Sequence, residues 1–165
     1  WQMMNETKMK LVTNCSYSGS TICNTGYSGE DASEKSFVGR MKDICENAII
    51  RPDIIFVEGG TNDCWAGAPV GELKYSSWTQ DDLKSILPAF CYMLDHIKLF
   101  NPQARIINIM NVDITASVKE SMKVACEHYE VENVELTNIT KENGHPNKEG
   151  MTQIKEQVLK VFENK

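Results

Sequence analysis

DIIFVEGGTND, residues Asp53–Asp63, is the stretch that decides the fold. A nearly continuous apolar run bounded by glycines reads as a strand covered on both faces, because a half-exposed strand would alternate. Gly59 and Gly60 let the backbone turn sharply as it leaves the strand, and Asn62 then carries a side-chain amide just past its end. RIINIM, Arg105–Met110, repeats the buried-strand pattern. KLVTN (Lys10–Asn14) and NVELT (Asn133–Thr137) read as two further strands. Helical spacing fills the intervals. Phe37, Met41 and Ile44 precede the second strand, and Leu83, Ile86, Leu87, Phe90, Leu94 and Ile97 precede the third. Val118, Met122 and Ala125 precede the fourth, and Met151, Ile154, Val158 and Val161 line a last helix. Pro88 predicts either two helices or one that starts near Ser85. Trp1–Met9 reads as a helix feeding the first strand.

Strict alternation of helix and strand implies an α/β domain with a parallel sheet and helices on both faces. Such sheets carry their sites at the carboxyl ends of the strands. The Ser/Gly-rich loop after Asn14, the GGTND turn and the loop around His145 all follow strands, so they are expected at one rim.

The 165 residues fit one domain, residues 1–165. A formal charge of −6 and a pI near 5.1 argue against nucleic acid or an anionic membrane as partner. No apolar run approaches the roughly 20 residues of a membrane span. The six cysteines contain no C-x-x-C pair, so neither a metal site nor a redox site is expected. Cys45, Cys91 and Cys126 read as small buried helical side chains, and Cys15 and Cys23 could bridge the loop between them. The chain opens on Trp1, so its natural start is expected to lie upstream. With a signal peptide removed there it would be secreted or periplasmic, and otherwise cytoplasmic.

The chemistry rests on three places. An amide NH2 at Asn62 is a neutral, directional donor suited to a developing oxyanion. Gly19 offers a backbone N–H that substrate can approach without a Cβ in the way. His145 is held away from helical geometry by Pro146, while Asn147 can cap the helix that follows. Glu142, three residues earlier, can fold back onto one ring nitrogen and leave the other free as a general base. His96 and His128, inside helical segments, read as structural.

Together, N-x-x-x-S-G over Asn14–Gly19, GGTND over Gly59–Asp63 and E-x-x-H-P-N over Glu142–Asn147 resemble the SGNH (GDSL-like) hydrolases. The resemblance implies a flavodoxin-like three-layer sandwich and a serine ester hydrolase that needs no cofactor. Gly19 and Asn62 would be the oxyanion donors, supported by Gly60 and Asp63. His145 would be the base, and Glu142, in place of the family's aspartate, the acid that orients it. The family's G-D-S block with the nucleophile is not in the chain, so the serine and its strand are expected upstream of Trp1. Ser16 and Ser18 are the alternatives. The related strand order puts the absent strand between Lys10–Asn14 and Asp53–Glu58. The run from GGTND through Trp65 and Pro69 to Tyr75 is similar to a bacterial variant of gut origin. A small-molecule ester or an acylated carbohydrate would be the substrate, and the oligomeric state stays open. The rival readings are a flavin or nucleotide binder using the Ser16–Gly29 loop, and a non-catalytic glycan binder using Trp65, Trp78 and Tyr75.

Overall fold

The computed structural model describes residue 3, residues 6–45 (side chains through residue 41) and residues 51–163. Of the helix expected over Trp1–Met9, Met3 and Glu6 are helical and residues 7–9 are not, the other four lying outside the described residues. Three strands, β1 (Ile54–Glu58), β2 (Arg105–Met110) and β3 (Glu132–Glu135), form a parallel sheet in the order β1-β2-β3. Ile54 pairs with Arg105 at the start of the first ladder, and Ile107 with Glu132 at the start of the second. The main helices are α1 (Phe37–Cys45), α2 (Thr61–Ala66), α3 (Ile86–Phe100), α4 (Ala116–His128) and α5 (Lys148–Leu159).

Alternation along β2 creates the layers. Ile106 and Met110 face one core with Val38 and Met41 of α1, Phe90 and Leu94 of α3, and Met122 of α4. Ile107 and Ile109 face the other, with Val134, Leu136 and Val158 of α5. Asn108 sits between Ile107 and Ile109 on the α3/α4 side, fully buried, and its Nδ2 donates to Asn133 Oδ1 on β3 at 2.9 Å. Both faces of the central strand are covered, which is why its sequence reads as unbroken apolar residues.

α3 begins at Ile86 as one helix, with Ser85 as its cap residue and Pro88 in its first turn. The orphan N–H groups there find partners outside the helix. Ile86 donates to Pro69 C=O at 2.8 Å and Leu87 to Val70 C=O at 2.9 Å. Proline has no N–H to satisfy, so this turn tolerates it. The loop before α3 is anchored as well, by Trp78 Nε1 donating to Lys74 C=O at 2.8 Å.

Two sequence readings fail. Lys10–Asn14 forms no strand, and its Leu11 and Val12 are 51% and 57% exposed. A strand needs a neighbour's backbone, and among the described residues β1 pairs only with β2, leaving its other edge open. Among the described residues the parallel sheet therefore has three strands rather than four. Met151, expected on the buried stripe of α5, is instead exposed. The first turn of α5 rests against the neighbouring loop through Gly150, where a Cβ would lie 2.1 Å from Thr140 O. That contact turns Met151 outward.

Candidate active site

His145 does not sit on an irregular loop. Lys141–Glu142 (β4) and His145–Pro146 (β5) form a two-stranded antiparallel hairpin. Its turn is Asn143-Gly144, with φ of 51° and 81°. Two left-handed residues in a two-residue loop match the natural twist of a hairpin, and Asn-Gly is the pair that adopts it most readily. The register sets Glu142 directly opposite His145. Side chains at such a pair stand on one face with Cβ atoms about 5 Å apart. Behind the hairpin, Asn147 caps α5 by accepting from Gly150 N–H at 3.0 Å. In front, Lys141 Nζ pairs with Asp113 Oδ2, tying the hairpin to the loop after β2.

Across the rim, α2 starts where β1 ends. Gly60 takes φ 97° as its cap residue. At Gly59 a Cβ would lie 2.8 Å from the Phe37 ring and 2.9 Å from Ile22. The first glycine is thus required by packing and the second by conformation. Asn62 and Trp65, three residues apart on α2, share a helix face. The Trp65 ring meets His145 edge-on, with centroids 6.4 Å apart at 74°. The indole is 47% exposed, and a Cβ at Gly144 would touch its Cη2 at 4.0 Å.

The Asn62 amide reaches back to the loop that carries Gly19. Its Nδ2 donates to Ser20 C=O at 3.0 Å, and its Oδ1 accepts from Tyr27 O–H at 3.0 Å. One amide N–H remains uncommitted among the described residues. Gly19 occupies the third position of a turn closed by Ser20 N–H to Tyr17 C=O at 3.2 Å. It has φ 74°, with nothing within 4 Å of where a Cβ would be. Arg40 clamps this loop. Its Nη1 donates to Cys15 C=O at 2.6 Å and its Nη2 to Ser20 Oγ at 3.0 Å, while the guanidinium lies over the Tyr17 ring.

Asp63 locks the same loop from below. Fully buried, its carboxylate accepts from Ile22 N–H at 2.8 and 2.9 Å and from Cys23 N–H at 3.1 Å. Burial pushes its pKa up from the ordinary 3.8, against the pull of these N–H donors. The folded chain therefore holds this proton more tightly than the unfolded one. The stability linked to it is full below pH 3.8 and declines as pH rises through the raised value. Asp63→Ala leaves two buried N–H groups without acceptors and should cost about 3 kcal/mol, read as a lower urea midpoint at unchanged slope. An unchanged midpoint would mean that the loop holds itself without the carboxylate.

The structure brings Gly19, Asn62 and His145 to one rim, with Gly60 and Asp63 beneath them. It does not join Glu142 to His145 by a hydrogen bond. Both side chains are exposed where a direct bond was expected. Glu142 lines an open groove with Asn147, Lys148, Glu149 and Thr152. Cys15 and Cys23 are free thiols rather than a bridge, with burial pushing the Cys23 thiol up to about 12. Trp78 and Tyr75 are half-buried packing residues, Trp78 edge-on to Tyr92 at 5.3 Å and Tyr75 stacked on His128 at 3.9 Å. Sequence reasoning missed Tyr27 and Arg40 altogether. The i, i+3 spacing of Asn62 and Trp65 was the available sign that an aromatic joins the site.

Comparison with known proteins bears on the family and the fold. The GDSL-like lipase/acylhydrolase profile matches residues 1–162. Two crystal structures of Bacteroides proteins provisionally named GDSL-like lipases superpose with a TM-score of 0.93 each. The Bacteroides ovatus protein is 41% identical, covering 99% of this chain and 77% of its own. The Bacteroides uniformis protein is 45% identical, covering 99% and 75%. A Lactobacillus plantarum protein shares the fold at 18% identity and a TM-score of 0.68, over 89% and 78%. No curated protein matches. The chain belongs to the GDSL-like lipase/acylhydrolase family.

Proposed function

We propose that the protein is a serine ester hydrolase acting through an acyl-enzyme on small acyl or acetyl esters, acylated carbohydrates among them. The observation that carries this reading is the Asn62 amide. It is held by Ser20 and Tyr27 with one N–H free, one helical turn from the Trp65 that abuts His145. In the first half-reaction His145 takes the serine proton as the oxygen attacks the ester carbonyl. The Gly19 N–H and Asn62 Nδ2–H bind the resulting oxyanion, and His145 passes the proton to the departing alcohol. In the second half His145 activates water against the acyl-enzyme and returns a proton to the serine. Glu142 turns onto the imidazole once substrate displaces water from the rim, since triads accept either carboxylate.

The nucleophile is proposed to come from a segment upstream of Trp1 that adds a strand at the open edge of β1. The exposure of Leu11 and Val12 and an edge of β1 that is unpaired among the described residues support this, and Ser16 and Ser18 make no hydrogen bond to His145. A flavin or nucleotide phosphate would need free backbone N–H groups in the 16–29 loop, but the Asp63 carboxylate already occupies those of Ile22 and Cys23. The glycan-binder reading keeps only Trp65 of its three aromatics at the rim. No cofactor, membrane or nucleic acid enters this proposal.

A fluorophosphonate probe tests it. The full-length protein should be labelled stoichiometrically at one upstream serine, and residues 1–165 alone should not react. Labelling at Ser16 or Ser18 would overturn the placement of the nucleophile. Absence of labelling on the full-length protein would overturn the enzyme class.

A further inference from the structure

We infer that Tyr27 is a positioning residue for the Asn62 amide, a reading that rests on the ester-hydrolase assignment for its catalytic consequence. The phenol sits on a tight excursion of chain over residues 25–31. Gly26 N–H donates to Glu30 C=O at 2.8 Å, and an isolated bridge joins Thr25 to Asp31. Ser28 takes φ 58° beside Gly29 at φ 76°, a conformation that a residue with a Cβ seldom adopts. The base of the excursion is anchored to a distant element, with Asn24 N–H donating to Leu83 C=O at 2.8 Å and Thr25 Oγ1 to Lys84 C=O at 2.7 Å. The ring gains little burial in return, being 42% exposed. Among the described residues, the side-chain hydrogen bond that Tyr27 makes from this scaffold is its O–H on Asn62 Oδ1.

That contact does two things to the amide. The Ser20 carbonyl can only accept, so it selects the nitrogen side of Asn62, and the phenol, as donor, selects the oxygen side. With both ends held, the plane of the amide is fixed and the remaining N–H with it. Donation into the amide oxygen also polarises the group and strengthens its N–H as a donor, as in any hydrogen-bonded chain. The amide is thus set before substrate arrives.

Tyr27→Phe keeps the ring and deletes the hydroxyl. With p-nitrophenyl acetate and the full-length protein, kcat should fall about five- to tenfold, the scale of one hydrogen bond, with KM unchanged. In an Asn62→Ala background the same substitution should have no further effect. The side-chain NH2 resonances of Asn62, followed by 15N–1H NMR, should move in Tyr27→Phe. Unmoved resonances, a full kcat loss persisting in Asn62→Ala, or a change in KM alone would overturn the inference. If the wild-type protein hydrolyses no ester, the functional reading falls, and the Asn62 resonances alone decide whether Tyr27 orients the amide.

Discussion

Alanine at position 145 in the full-length protein should lower ester hydrolysis on the order of 10⁴-fold while leaving its unfolding midpoint in place. The two halves of this expectation have separate grounds. The rate falls because one imidazole is asked to move the proton in both half-reactions, and the rim offers no second histidine. His128 is stacked on Tyr75 and His96 on Tyr92, both against helices. Stability holds because the His145 side chain is exposed and makes no hydrogen bond among the described residues. The hairpin that carries it is set by the Asn143-Gly144 turn, by Gly150 packing on Thr140 and by the Lys141–Asp113 pair. Exposed substitutions away from such features usually change stability by less than about 0.5 kcal/mol. Steady-state kinetics and urea unfolding on one preparation measure both halves. A variant keeping most of its rate would mean that another base does the work.

How far the sequence could be read follows from what each segment touches. Arg105–Met110 was legible to the residue because both faces of that strand are buried, so its pattern belongs to the strand itself. Lys10–Asn14 has the composition of a strand and fails to be one, because pairing is a property of two segments and no described strand pairs with it. The His145 hairpin was hidden by its brevity. Asn-Gly is a strong turn signal, but only two residues on each side pair, too few to show alternation. Asn62 and His145 were readable because each comes after a strand of the sheet, whereas Gly19 follows a segment that forms none and was readable from its motif alone. Their supports were not. Tyr27 is 35 residues from Asn62 in sequence, and Asp63 is 41 from the Ile22 N–H it accepts. No local pattern encodes contacts made across such spans.

Asn62→Ala should reduce kcat by roughly 100- to 1,000-fold, the usual scale for one oxyanion donor, with little change in KM. The split follows from where the interaction is made. A ground-state ester carbonyl carries little charge, whereas the tetrahedral intermediate carries a full one, so the free N–H of Asn62 is worth most at the top of the barrier. Folding should lose only about 1 kcal/mol, because the amide is half-buried and Tyr27 O–H, on a residue 42% exposed, can turn to water. Asn62→Asp sharpens the test. It keeps the shape of the side chain but sets a carboxylate oxygen against the Ser20 carbonyl and directs negative charge at the developing oxyanion. Its rate should therefore lie below that of Asn62→Ala, although alanine removes more atoms. An aspartate variant faster than the alanine one would mean that position 62 supports the loop rather than the oxyanion, and the donor would have to be sought elsewhere on the rim.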